Sequence, residues 1–158
     1  MSYQFRRARP GDIPKLAQLE RNTPTAAHWG YTQYEALLSS DASQRITIVA
    51  DDPSTKDIVG FLVASRLADE WELENLMVSE PYRRKHIAHN LVQALLAKLR
   101  PTGASSILLE VRESNQAARR LYEKIGFTQE GERKDYYRNP QENAILYRFS
   151  LHFYDKIP

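Results

Sequence analysis

The stretch from Trp71 to Leu99 constrains this chain more than any other. WELENLMV alternates as a strand does, and SEPYRRKHIA is a turn dense in polar groups and cations. From Ile87 the apolar residues recur at Leu91, Leu95 and Leu99, which is one face of an α-helix. The first turn of a helix leaves backbone N–H groups unpaired and carries partial positive charge, so it receives anions. Arg83, Arg84 and Lys85 stand at that terminus, where basic side chains oppose the helix dipole. Three cations in that place make sense if an anion of several charges sits among them. Basic clusters at helix starts are also commonly plain solvated surface, so the rest of the chain must separate the two readings.

A chain of 158 residues is expected to form a single domain, 1–158, long enough to bury a core. A net charge of +2 is too mild to argue for nucleic acid as a partner. The absence of cysteine excludes disulfides, thiolate metal sites and a cysteine nucleophile. MSYQFRRARPGDIP has no apolar signal region, and no apolar run approaches the roughly 20 residues needed to span a bilayer. A cytoplasmic protein without a membrane partner is expected, as a monomer or homodimer.

Tyr3 to Ala8 reads as a short strand stopped by Pro10 and Gly11. Asp12 is placed to cap a helix carrying Ile13, Leu16, Ala17 and Leu19. In the loop RNTPTAAHWGY, the residues His28, Trp29 and Tyr31 can line a cleft or equally plug the edge of the core. Thr32 and Glu35 have capping-box spacing and open a second short helix through Leu38. Ile46–Ala50, Ile58–Ser65 and Glu70–Val78 form an antiparallel meander. The apolar run Ser106–Val111 follows the helix that Pro101 and Gly103 end. Strand, helix, strand is a crossover, so this strand is expected parallel to Trp71–Val78. Asn115 caps a further helix with Ala118, Leu121, Tyr122 and Ile125 on one face and Gly126 as its C-cap. Phe127 onward and Ala144–Phe153 form a last strand pair, with Tyr136, Tyr137 and Arg138 in the connection. The expected fold is α/β: a mixed, mostly antiparallel twisted sheet of about seven strands with about four helices on both faces.

Parallel neighbours in a twisted sheet can part at their C-terminal ends, and ligands favour such crevices. Here the central parallel pair would splay after Val78 and Val111, with the cationic turn 83–85 and Asn115 bordering one cleft. Glu72, Glu74 and Glu110 lie on the strands leading there. Glu110 follows Ile107, Leu108 and Leu109, where an acid is uncommon unless paired; a pair with Arg112 or a helix arginine is as reasonable as a catalytic role. Glu72 and Glu74 alternate on one strand face, which can be merely the wet one. Tyr122 can be an ordinary core tyrosine. His86 and His89 lack acidic partners at matching spacing, so no metal site is expected.

Val78-Ser79-Glu80-Pro81-Tyr82-Arg83-Arg84-Lys85-His86-Ile87-Ala88 resembles the acetyl-CoA-binding signature of the GNAT acetyltransferases, Arg/Gln-x-x-Gly-x-Gly/Ala. LEVR-x-SN-x(5)-LYE-x-x-GF from Leu109 to Phe127, with Tyr136-Tyr137 downstream, is most similar to the ribosomal-protein-alanine N-acetyltransferase (RimI-like) branch of that family. The likeness covers nearly the whole chain. It implies acetyl-CoA as co-substrate, with the pantetheine arm on the backbone of Leu76, Met77 and Val78 and the pyrophosphate on the turn Arg83, Arg84, Lys85, His86, Ile87, Ala88 and His89. It implies further that Asn115 hydrogen-bonds the cofactor, that Glu110 is the general base and that Tyr122 is the general acid beside the cofactor. Glu72 falls where a different branch keeps its base. By analogy Trp29, Tyr31, Glu74, Tyr136 and Tyr137 line the acceptor side, together with His28.

Acyl transfer needs these parts. A protonated amine has no lone pair, and an α-amino group near ~8 needs far less help than a lysine near ~10.4. An apolar setting for Glu110 would raise its pKa toward the range useful in a base. A tyrosine near ~10 can protonate the departing thiolate, and N–H donors at a strand end can steady the oxyanion. His86 departs from the pattern, standing where the family most often has glycine; a right-handed backbone there would need none. The resemblance implies an N-acetyltransferase acting on a protein N-terminus. The alternatives are the same chemistry on a lysine side chain or small amine (polyamine, amino acid, drug) and a non-catalytic acyl-CoA-binding module.

Overall fold

The computed structural model describes residues 2–23 and 43–151. In chain order its main elements are β1 (Gln4–Arg7), α1 (Ile13–Arg21), β2 (Arg45–Asp51), β3 (Ile58–Leu67) and β4 (Glu70–Val78), followed by α2 (Ile87–Leu99), β5 (Ser106–Arg112), α3 (Gln116–Ile125), β6 (Thr128–Tyr137) and β7 (Glu142–Ser150). The strands form a seven-stranded sheet in the order β1-β2-β3-β4-β5-β7-β6. The β1–β2, β2–β3, β5–β7 and β6–β7 pairs are antiparallel and β4–β5 is parallel, as the crossover predicts. The parallel ladder joins Glu70–Glu72 to Ser106–Leu108; β4 runs on to Val78 and β5 to Arg112 outside it. The described residues hold three α-helices. The expected helix through Leu38 lies outside them, as do His28, Trp29, Tyr31 and the end of the strand expected to reach Phe153.

The chain divides into two compact units, residues 1–66 with 73–98 and residues 67–72 with 99–158. In the first, Ile13, Leu16, Ala17 and Leu19 of α1 pack with Val49, Ile58, Phe61, Val63 and Met77. Each such large apolar side chain contributes about 1.5–3 kcal/mol on burial. Asp12 does not cap α1 through its side chain. Its own backbone is helical, φ −82 and ψ −16, and two arginines capture the carboxylate instead. Arg6 Nη1 donates to it at 2.8 Å and the Arg9 N–H at 2.7 Å, while Arg6 Nε reaches Asp51 at 2.6 Å. Burial alone would push the Asp12 carboxyl up; the Arg6 hydrogen bond, the Arg9 N–H and the two positive charges outweigh it and hold the pKa below the usual 3.8.

In the second unit, β7 lies between β5 and β6, and residues opposite one another in a ladder share a face. One face therefore carries two rows: Glu110, Leu146 and Gly131, then Arg112, Ala144 and Arg133. The other face carries Tyr147 opposite Leu109, against which α3 packs Tyr122. Tyr136 and Tyr137 belong to β6 rather than to the connection expected for them. The ladder slips between Arg133 and Tyr137, where Asp135 takes φ +53, and it resumes with Tyr137 opposite Glu142.

Candidate active site

In the first unit the candidate binding element is the end of β4 and the turn after it. The Ser79 N–H donates to Val59 of β3 at 2.8 Å. Strand alternation then turns the backbone of Met77 toward β3 and that of Leu76 and Val78 toward the opposite edge. An extended chain could pair with that edge by adding a strand; in this structure the Val78 carbonyl accepts Arg83 Nε at 3.2 Å. The approach of β3 is close enough that a Cβ at Gly60 would lie 2.8 Å from the Met77 oxygen, which explains a glycine there. Beyond a single 3-10 turn at Glu80–Tyr82, the Tyr82 hydroxyl donates to Asp52 at 3.0 Å. Lys85 lies 5.4 Å above the Tyr82 ring. The hydrogen bond to Asp52 ties the turn to the β2–β3 connection and raises the Tyr82 pKa.

Arg84 and His86 have φ of +62 and +63. His86 is therefore left-handed, correcting the right-handed backbone expected of it, and the glycine of the family pattern marks a conformational need that a histidine here meets under strain. Left-handed residues at this spacing turn successive N–H groups into a concave anion-binding nest. Among the described residues, no backbone N–H from Arg84 to His89 donates to a protein group. The His86 carbonyl accepts the Asn90 N–H at 3.0 Å, which starts α2. Six free donors beside the exposed side chains of Arg83, Arg84 and Lys85 suit a diphosphate.

The other unit carries its own set of carboxylates and phenols. Glu110 Oε1 meets Arg133 Nε at 3.2 Å, and the Glu110 side chain is 22% exposed. Its setting is thus polar and not the apolar one expected, and its partner is neither Arg112 nor a helix arginine. Ala144, small and opposite both Arg112 and Arg133, leaves room for long side chains on this face. The Glu110 charge, and the hydrogen bond it offers the Tyr136 hydroxyl, raise the Tyr136 pKa, with Glu72 adding to the effect. Glu72 stands opposite Leu108 and so shares the face of Glu110. Tyr137 is pushed up to about 12, by burial first and then by Glu110 and Tyr136. Glu74 accepts the Ser65 hydroxyl in the first unit.

Tyr122 is only 7% exposed, with ring neighbours Phe127 at 5.5 Å and Tyr147 at 6.4 Å. Burial, then Tyr137, pushes its pKa above the usual value. The Tyr147 hydroxyl is used up, accepting from Arg119 Nε at 3.1 Å and donating to Glu123 at 2.7 Å. The Tyr122 hydroxyl donates to no protein group among the described residues. Asn115 caps α3 as expected, its Oδ1 accepting the Ala118 N–H at 3.1 Å, which leaves the exposed amide nitrogen for a ligand. Arg133 and Gly60 are positions that reading the sequence did not single out, and Arg112 entered it only as a partner for Glu110. Arg112 stands two residues after Glu110, and that period alone could have placed it on the same face.

The first unit thus offers a nest of free N–H groups and an open strand edge, which suit a phosphate-bearing ligand, and the second carries a carboxylate and an unpartnered phenol on opposite faces of its sheet. The chain belongs to the acetyltransferase (GNAT) family, whose model matches residues 13–127, and is an N-acetyltransferase of that family. It is 32% identical over 138 residues to the ribosomal protein bS18-alanine N-acetyltransferase of Haemophilus ducreyi, covering 85% of this chain and 91% of that one. The fold matches the crystal structure of the Escherichia coli ribosomal-protein-alanine N-acetyltransferase with a TM-score of 0.82 and 24% identity, covering 95% and 94% of the two chains. A spermidine N-acetyltransferase chimera from Vibrio cholerae matches as well, at 0.83 and 17% identity, covering 99% and 100%. The fold alone therefore does not choose the acceptor. Among the described residues no helix is long and apolar enough to cross a membrane.

Proposed function

We propose that this chain, as a single acetyltransferase domain over 1–158, moves an acetyl group from acetyl-CoA to the α-amino group of a protein N-terminus. The relative from Haemophilus ducreyi, whose name gives a ribosomal protein alanine as acceptor, supports that choice over lysine or a polyamine. Acetyl-CoA supplies an acetyl thioester when bound. The N–H groups of Arg84 to His89 and the side chains of Arg83, Arg84 and Lys85 hold its diphosphate. The edge of β4 at Leu76 and Val78 pairs with its pantetheine arm beside Met77, and Asn115 donates to it.

The observation that carries the chemistry is the separation of Glu110 and Tyr122 onto opposite faces of the β5–β7–β6 sheet. A base on one face receives the proton of an incoming ammonium, while a phenol on the other meets the departing sulfur. An α-ammonium near ~8 is partly neutral at pH 7, so a modest carboxylate base beside Tyr136 and Tyr137 suffices. Glu72 is the second candidate for that role, because it shares the face and the field of Tyr136. Tyr122, held above its ordinary ~10 by burial, stays protonated throughout the working pH range. It serves as a standing hydrogen-bond donor to sulfur rather than as a strong acid toward a thiol near ~8.5.

The test is turnover with acetyl-CoA and a panel of peptides that begin with different residues and carry an internal lysine, alongside spermidine. Fragmentation mass spectrometry should place the acetyl group on the N-terminal nitrogen. Modification of lysine or spermidine alone would move the acceptor assignment elsewhere.

A further inference from the structure

Arg112 joins the base-bearing strand to the β6–β7 turn. Its Nη1 donates to the Pro140 carbonyl at 3.2 Å and pairs with Glu142 at 3.3 Å, and its Nη2 donates to the Arg138 carbonyl at 3.3 Å. Its guanidinium carbon lies 4.4 Å over the Tyr137 ring. A planar fork that donates along its edge while stacking on its face is a use that lysine cannot reproduce. Glu142 is held in turn by the Ser114 N–H, so the contact is anchored at both ends.

What makes this more than surface stitching is the slipped ladder. Between Arg133 opposite Ala144 and Tyr137 opposite Glu142, β6 carries more chain than β7, so backbone pairing does not place Tyr136. The segment is located by side chains: Arg133, 5.5 Å over the Tyr136 ring, the Asp135 N–H on Asn143 at 2.9 Å, and Arg112 on Tyr137. Arg112 is the member of that set that sits on β5, two residues from Glu110.

We propose that Arg112 is a positioning residue for the acceptor side: it sets Tyr136 and Tyr137 against Glu110 and thereby governs acceptor affinity, not acetyl-CoA affinity. This rests on the reading of Glu110, Tyr136 and Tyr137 as the acceptor side of an acetyltransferase. With Arg112 gone, the turn 138–142 loses its donors and Tyr137 its stacked cation, while the strand edge at Leu76–Val78 and the N–H groups of 84–89 keep every contact described for them.

Arg112→Met and Arg112→Lys, with Glu142→Gln as a milder variant, are compared with wild type on the best acceptor peptide. Arg112→Met should raise the acceptor KM about tenfold or more, with the Kd for acetyl-CoA by calorimetry within about twofold. Arg112→Lys and Glu142→Gln should fall between it and wild type. Hydrogen exchange should quicken in residues 133–140 and stay unchanged in 76–99, a readout independent of turnover. A fall in kcat with both affinities unmoved, a loss of acetyl-CoA binding, or unchanged exchange at 133–140 would each overturn the assignment. Failure of wild type to acetylate any peptide would refute the function proposed above, while the exchange result would still judge the role of Arg112 in holding the turn.

Discussion

Replacing His86 by glycine should stabilise this protein, and the structure sets the size of the effect. At φ +63 an L-residue has its Cβ crowded against the following carbonyl, at a cost of roughly 1–2 kcal/mol. Glycine removes that cost but gives the unfolded chain more freedom, returning about 0.5–1 kcal/mol. The net gain is about 0.5–1 kcal/mol, which for a chain of this length is a rise in Tm of about 1–4 °C. Thermal unfolding followed by circular dichroism measures it, with His86→Ala as a control that loses the imidazole and keeps the strain. Acetyl-CoA affinity, titrated calorimetrically, should hold or tighten in the glycine variant, because the free N–H groups belong to the backbone. A fall in Tm of more than about 2 °C, or a tenfold weaker affinity, would show that the imidazole makes contacts worth more than the strain, and would refute the reasoning.

Two further outcomes are expected. Tyr122→Phe should lower kcat about 100-fold, the lower range of acid–base contributions, with acetyl-CoA affinity unchanged by calorimetry; unaltered turnover would remove Tyr122 from the chemistry. Asp12→Asn should cost about 1–2 kcal/mol at neutral pH, as expected for a hydrogen-bonded, part-buried charge pair, seen as a Tm lower by about 2–8 °C. Because the folded pKa of Asp12 is depressed, its contribution is complete above the unfolded value near ~3.9 and disappears as pH falls through the folded one. Wild type and variant should therefore converge in stability at strongly acid pH.

Periodicity was enough to predict β2 to β5 and both long helices of the later chain, because their apolar residues keep a strand or helix pattern and each of those helices is followed closely by a proline or glycine. The crossover rule placed β4 beside β5 without any long-range information. The contacts of Glu110 were out of reach for a topological reason. Its partner Arg133 comes from β6, across β7, and only the order β5-β7-β6 together with the small Ala144 brings them together. The strand assignment of Tyr136 and Tyr137 was missed because the extra residues in β6 break the alternation that would announce it. The handedness of His86 follows from closing a turn onto a helix, which side-chain pattern does not encode; the glycine of the family signature was the one available signal.

The account turns on Glu110 as the group that takes the acceptor's proton. The most direct measurement is the pH dependence of kcat/KM on an N-terminal peptide for wild type, Glu110→Gln and Glu72→Gln. The predicted result is a near-wild-type profile in Glu72→Gln, and in Glu110→Gln a rate lower by about 100-fold at neutral pH that recovers in part only as the acceptor amine near ~8 loses its own proton. The contradicting result is a wild-type profile in Glu110→Gln with that fall in Glu72→Gln, which would seat the base on β4.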